Sequence, residues 1–210
     1  MWSWVSDITI IDYGSGNILS IYNGFKKIGV EVTVSDDKKV IADSDAIILP
    51  GVGAYGAVMN NLIDYKDIVC DHINDDKALL GICLGLQMLF TTSQESPEVK
   101  GLDIFKGSVE RFNLPHEYKI PHMGWNQITV NKTNSNNTSL LEDVDNEYMY
   151  FVHSYYIKPE DESIITAYTD YGMKVPVAIG KDNINALQFH PEKSGKAGLN
   201  ILKNFVESID

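Results

Sequence analysis

The chain has 210 residues, a formal net charge of −12, 44% hydrophobic and 22% charged side chains, enough to bury a core without disulfide staples and far from a disordered composition. That excess of negative charge repels phosphate backbones and anionic lipid, and no basic patch offsets it, so nucleic acid and membrane surfaces are excluded as expected partners. MWSWVSDITIIDYG lacks a leader pattern, no window nears the roughly 18 apolar residues of a spanning helix, and a reducing compartment gives Cys70 and Cys83 no reason to pair; a cytoplasmic protein is expected.

From the N-terminus, short apolar stretches alternate with helical ones. ITIIDY at 8–13 reads as a strand, 17–28 as a helix, and VEVTVS at 30–35 and DAIILPG at 45–51 as strands. AVMNNLIDYKDIVCDHIND at 57–75 reads as one helix and ALLGI at 78–82 as a strand, and a further helix opens at about Leu84. Nearly continuous apolar strands separated by helices describe parallel strands covered on both faces. After Pro97 the rhythm turns to strands, KGSVERF, QITV, YMYFVHSYYI, SIITAYT, VPVAIG and INALQFH, with a last helix over about 196–208. The expected fold is a single α/β domain over residues 1–210: a doubly wound mixed sheet, mostly parallel with an antiparallel C-terminal portion, and helices on both faces. Sequons at Asn131, Asn136 and Asn137 lie in NKTNSNNTS, which reads as a polar loop.

Open α/β sheets bind ligands at the carboxyl ends of their strands, where Asp12, Gly51 and Cys83 fall. Gly81-Ile82-Cys83-Leu84-Gly85 is the cysteine form of a nucleophile elbow, a sharp strand-to-helix turn that projects the reactive atom from the sheet. Such a turn strains the backbone at the nucleophile, and glycines on either side remove the Cβ atoms that would clash. The helix that follows points its N-terminus at the sulfur, which favours thiolate over thiol. Most free cysteines are instead small buried hydrophobes. Cys70, at core spacing within a helix, takes that reading.

A thiolate needs a base, and QFHPEKSG offers His190 with Glu192 two positions on. In an extended segment such positions face the same way, and Pro191 keeps His190 out of the helical region. The carboxylate can then orient the imidazole, in the nucleophile, base and orienter scheme of the hydrolases. DAIILPGVG adds a strand end whose glycines, Gly51 and Gly53 around Val52, let backbone N–H groups turn toward an oxyanion, with Leu84 N–H as a second donor. A zinc site is not expected, since His72, His116, His122 and His153 complete no set with Cys83, His190 and Glu192 at ligand spacing. DYGSGN fails as a dinucleotide fingerprint because Leu19 stands where a glycine is needed; the loop is expected to cap its helix through Asn17.

Together, PGVG, GICLGLQ and QFHPEKSG resemble the class I (triad) glutamine amidotransferases along essentially the whole chain. DYGSGN, PHMGWNQI and YFVHSYY further resemble the glutaminase subunits of imidazole glycerol phosphate synthases, which serve histidine biosynthesis. The resemblance implies Cys83 as nucleophile, His190 as general base and acid, and Glu192 as orienter. It implies glutamine held by Gln87, Ser154 and Tyr155, and an oxyanion strand of Gly51, Val52 and Gly53 that rearranges before it offers a donor. It also implies no metal or organic cofactor, and a heterodimer with a (β/α)₈ cyclase subunit through whose barrel ammonia travels. Trp125 would lie at that interface, with Tyr13, Asn17 and Lys193 nearby. The same triad also fits amidotransferases that feed a surface-sugar or chorismate-derived synthase, a cysteine hydrolase of similar topology, or a binding protein that kept the fold.

Overall fold

Four apolar strands run through the middle of the molecule, and their alternation divides the core in two. The computed structural model describes residues 7–133 and 139–209. In chain order the elements are β1 (Ile8–Ile11), α1 (Ile18–Lys27), β2 (Thr33–Ser35), α2 (Lys38–Asp43), β3 (Ala46–Leu49), α3 (Tyr55–Leu62), α4 (Lys66–Asn74), β4 (Ala78–Ile82), α5 (Leu84–Met88) and β5 (Phe90–Ser93). There follow β6 (Phe105–Arg111), β7 (His122–Val130), β8 (Tyr148–His153), β9 (Tyr155–Pro159), β10 (Ile165–Asp170), β11 (Lys174–Lys181), β12 (Ile184–Leu187) and α6 (Gly195–Glu207).

Among the described residues the larger sheet has nine strands in the order β2-β1-β3-β4-β12-β11-β10-β7-β8. Side chains alternate across each strand. Ile8, Ile10, Ile48, Leu80 and Ile82 therefore pack under α1 and α6 with Phe25, Ile201 and Phe205. Ile11, Ile47, Leu49 and Leu79 pack on the opposite face with Met59, Leu62 and Val69 of α3 and α4. No helix among the described residues is long and apolar enough to cross a membrane.

Several details depart from the sequence reading. Pairing is parallel from β2 to β12 and antiparallel from β12 to β8, so the antiparallel portion makes up half of the large sheet rather than a minority of it. A second sheet, β5-β6-β9, was not expected. It exists because the helix at Leu84 stops after five residues: the carbonyls of Met88 and Leu89 are taken by the N–H groups of Leu102, Ile104 and Phe105 crossing over them, and Phe90 leaves as a strand. YMYFVHSYYI is two strands, not one. It breaks at Ser154, whose carbonyl accepts from Phe112 N–H, so β8 pairs with β7 in one sheet and β9 with β6 in the other. The single helix expected over 57–75 is α3 and α4 joined by a 3₁₀ turn, Ile63–Tyr65, which leaves Ile63 exposed while Leu62 and Val69 both reach the core. α2 was not foreseen; Asp37 caps it, accepting from Lys39 N–H at 2.8 Å. Cys70 is half-buried on α4 instead of lying in the core. Asn131 lies at the end of β7; the sequons at Asn136 and Asn137 fall outside the described residues.

Phe205 is wholly buried between α6 and the sheet. Phe205→Ala should lower the unfolding free energy by about 3–5 kcal/mol, measured by urea denaturation; a loss under about 1 kcal/mol would contradict this packing.

Candidate active site

Cys83 sits at the tip of β4 with φ 55° and ψ −104°, a strained conformation for a residue with a side chain. Three contacts hold it there: its N–H donates to Leu187 O at 2.7 Å, and its own carbonyl accepts from Leu86 and Gln87 N–H. The glycines beside it serve close approach. A Cβ on Gly81 would meet Ala186 Cβ at 3.0 Å, and one on Gly85 would run into the Leu49 carbonyl.

β12 is the parallel neighbour of β4, with Leu187 opposite Ile82. The chain leaving β12 therefore passes the sulfur directly, and it carries Gln188 and His190. Gln188 Nε2 lies 3.6 Å from Cys83 Sγ. His190 Nδ1 is 2.9 Å from Glu192 Oε1, both side chains fully buried. The carboxylate must accept here, so the ring proton sits on Nδ1 and Nε2 is left for the sulfur side. That Nε2 is buried with no hydrogen-bond partner. Burial disfavours the charged ring, but Cys83 and Glu192 outweigh it and raise the His190 pKa to about 9. Burial alone would raise Glu192; His190 and then Asn17 hold it below the ordinary carboxylate range instead.

The His190–Glu192 geometry differs from the strand alternation expected for it. β12 ends at Leu187, and Glu192 belongs to a 3₁₀ turn, Pro191–Lys193, with the proline at its first position. His190 is extended, as a residue before proline should be. Ser194 clamps the turn, its hydroxyl donating to His190 O at 2.6 Å and accepting from Tyr150 N–H at 2.9 Å.

Asn17 does not cap α1. Its backbone is left-handed and its side chain donates to Glu192 Oε1 at 2.7 Å. Tyr13, expected at a partner surface, is buried: its hydroxyl donates to Pro50 O, and burial raises its pKa. Gly16 N–H reaches Val52 O at 3.5 Å. The DYGSGN loop thus grips both the PGVG strand and the Glu192 carboxylate. Trp125 and Lys193 are exposed, and Trp125 lies against Gly195 beside the 3₁₀ turn.

PGVG reaches the elbow but presents a carbonyl to it. Leu84 N–H, expected as an oxyanion donor, is bonded to Gly51 O at 3.3 Å. Gly51 must be glycine for this approach, since a Cβ would lie 2.6 Å from Leu84 Cβ.

A cleft of about 310 Å³ opens over the sulfur, at the small end of ligand pockets. Val52, Gly53, Leu84, Gln87, Ser154 and Tyr155 line it, as expected, and so do His153 and Glu95, which were not. Glu95 Oε1 accepts from Tyr55 N–H at 3.3 Å. Glu95 carries no local signal, and Gln188, though it opens QFHPEKSG, was given no role there; each becomes part of the site through neighbours distant in sequence.

Residues 9–209 match the model of the family described as glutamine amidotransferase class-I. The chain belongs to the class I glutamine amidotransferases. Among relatives of this amidotransferase, the imidazole glycerol phosphate synthase subunit HisH of Methanothermobacter thermautotrophicus is 51% identical over 96% of this chain and 98% of that protein. The protein of the same name from Aquifex aeolicus is 46% identical over 93% and 94%. A crystal structure of a glutamine amidotransferase superposes with a TM-score of 0.74 at 19% identity, covering 95% of this chain and 97% of that one. PurLQS from Thermotoga maritima gives 0.71 at 18%, covering 97% and 99%. Both establish the fold of this amidotransferase domain.

The raised His190 and lowered Glu192 give this pair its own contribution to the pH dependence of stability. The histidine contribution is complete below its ordinary pKa of 6.5 and lost as pH rises through about 9; the glutamate contribution is complete above 4.5 and lost as pH falls below it. The difference in unfolding free energy between wild type and Glu192→Gln should therefore be largest between pH 4.5 and 6.5 and shrink toward alkaline pH. Urea unfolding across pH checks this; a flat difference would rule out the ionised pair.

Proposed function

We propose that this chain is the glutaminase subunit of an imidazole glycerol phosphate synthase, hydrolysing glutamine and passing the ammonia to a cyclase subunit in histidine biosynthesis. The reading is carried by one observation: a strained cysteine opens on a cleft and is backed by a buried His–Glu pair, in a chain 51% identical to a protein of that name.

The chemistry follows from the geometry. Cys83 Sγ, as thiolate, attacks the side-chain amide carbon of glutamine, and His190 Nε2 delivers the proton to the departing ammonia. Glu192 holds the Nδ1 proton throughout. Water then resolves the glutamyl thioester, with His190 taking its proton. Glu95 is the acid lining the cleft and suits the substrate's ammonium group; Gln87, Ser154 and Tyr155 hold the rest. No step calls for a metal or organic cofactor.

The oxyanion needs Leu84 N–H and a donor from Gly51–Gly53, so the Gly51 carbonyl has to turn away first. The partner surface suits that task. Met123, Trp125 and Tyr148 are 61%, 56% and 56% exposed. Register places Trp125 opposite Tyr150 and Met123 opposite Val152, which lines the cleft. An exposed apolar stripe that runs into the cleft fits a (β/α)₈ cyclase subunit docked over the site, with ammonia leaving through its barrel. Trp125 and Lys193 form the outer contacts, with Asn17, which donates to Glu192, also at that interface.

Cys83→Ala should abolish glutamine hydrolysis while still binding the cyclase; turnover at the wild-type rate would sink the assignment. The free subunit should hydrolyse glutamine at least about a hundredfold more slowly than the complex, the worth of one oxyanion donor. Equal rates with and without the cyclase would show that the Gly51 carbonyl does not close the site.

A further inference from the structure

The amides in the cleft wall have no freedom of orientation, and this fixes what faces the sulfur. The Tyr155 carbonyl can only accept. It takes one N–H from Gln87 Nε2 at 3.2 Å and one from His153 Nδ1 at 2.8 Å. The other Gln87 N–H goes to Gln188 Oε1 at 2.9 Å. The oxygen of Gln188 therefore faces Gln87, and its NH₂ end is the end at Cys83 Sγ, 3.6 Å away. The same logic runs outward. With its proton on Nδ1, His153 accepts at Nε2 from His122 Nδ1 at 3.0 Å, and His122 Nε2 accepts from Asn126 Nδ2 at 3.3 Å. Asn126 Nδ2 also donates to Asp170 O at 2.8 Å. Burial keeps both rings neutral, with pKa values lowered to about 3 at His153 and about 4 at His122. Gln188, Gln87, His153 and His122 are all buried, so a flip of any one amide or ring would strand polar groups away from water.

We propose that Gln188 is a positioning residue whose N–H, aimed by Gln87 and the Tyr155 carbonyl, holds the Cys83 sulfur in place and favours its thiolate. A donor at fixed orientation stabilises a sulfur anion more than a neutral thiol. The His153–His122–Asn126 chain anchors the Tyr155 carbonyl from behind, and its last two members lie on the strand that carries Trp125. Gln87 gains a second duty: both of its N–H groups are committed to this wall. The inference rests on Cys83 being the nucleophile of the proposed reaction.

Gln188→Leu removes the donor to sulfur and the acceptor for Gln87 without adding a charge, whereas Gln188→Glu keeps the shape and an acceptor for Gln87 but sets a carboxyl against the sulfur. Cys83 and Cys70 are the chain's two cysteines, so iodoacetamide labelling resolved by peptide mass spectrometry reads Cys83 with Cys70 as internal reference. Both variants should slow Cys83 relative to Cys70 by about tenfold or more, the worth of a hydrogen bond to a charged group. In the complex with the cyclase, kcat should fall in parallel while KM stays within about threefold. Unchanged relative labelling in Gln188→Leu, or a loss confined to KM, overturns the proposal. Should the variants fail to fold, the wild type decides: the Gln188 side-chain amide signals in NMR must respond to ionisation of Cys83 and lose that response in Cys83→Ala, and absence of the response overturns the proposal. Labelling needs no glutamine. A protein that labels as expected yet hydrolyses no glutamine overturns the glutaminase reading and leaves the positioning of the sulfur standing.

Discussion

The pairing of β4 with β12 is the constraint from which the site follows. Ile82 lies opposite Leu187, and Cys83 N–H continues the ladder by donating to Leu187 O. Parallel neighbours end on the same side of a sheet, so the residue after one strand and the residues after the other emerge together. The left-handed backbone at Cys83 costs about 1–3 kcal/mol. Apolar strands on both sides meet that cost: β3 and β12 flank β4, and every side chain of β4 is buried.

Polar groups around the sulfur fall into two kinds, and the difference marks where chemistry happens. In the wall built from Gln87, Gln188, His153 and His122, donors and acceptors match along the whole chain of contacts. A network so matched specifies one arrangement. On the other side, His190 Nε2 and Glu192 Oε2 are buried without partners. Unpaired buried atoms are expensive, and a bare ring nitrogen beside a thiol is one placed to take its proton. The wall is static; the pair is poised.

Much of this was legible in the chain itself, where a local rule and a function coincide. Cys83 announces itself because an elbow needs glycines at fixed offsets, and the His190–Glu192 pair because proline restricts its predecessor. The doubly wound start was legible because strands buried on both faces read as unbroken apolar runs. What was not legible is what depends on partners far along the sequence. Ser154 breaks a strand without any glycine or proline to announce it, because the cause is Phe112 crossing from another sheet. The helix at Leu84 is cut short by residues 102–105, not by anything within it. Asn17 looked like a helix cap, since that type sits in that place when nothing distant claims it, and the resemblance put Tyr13 near a partner surface; here Glu192 claims the one and Pro50 the other. Glu95 is mute until the fold brings the cleft around it, and Gln188, although it opens QFHPEKSG, shows its role only once the fold sets it against Cys83.

The DYGSGN loop carries four attachments in five positions: Tyr13 to Pro50 and, through its carbonyl, to Asn61, Gly16 to Val52 and Asn17 to Glu192. Exchanging the side chain of Tyr13 or Asn17 removes the tie that side chain makes, while a side chain on Gly16 would meet Val52 Cγ2 at 2.6 Å. Length is held as well. An inserted or deleted residue between 13 and 17 would throw at least one tie out of reach, so this short bend behaves as a ruler, and its span in residues is as much a requirement of the molecule as the identity of the cysteine.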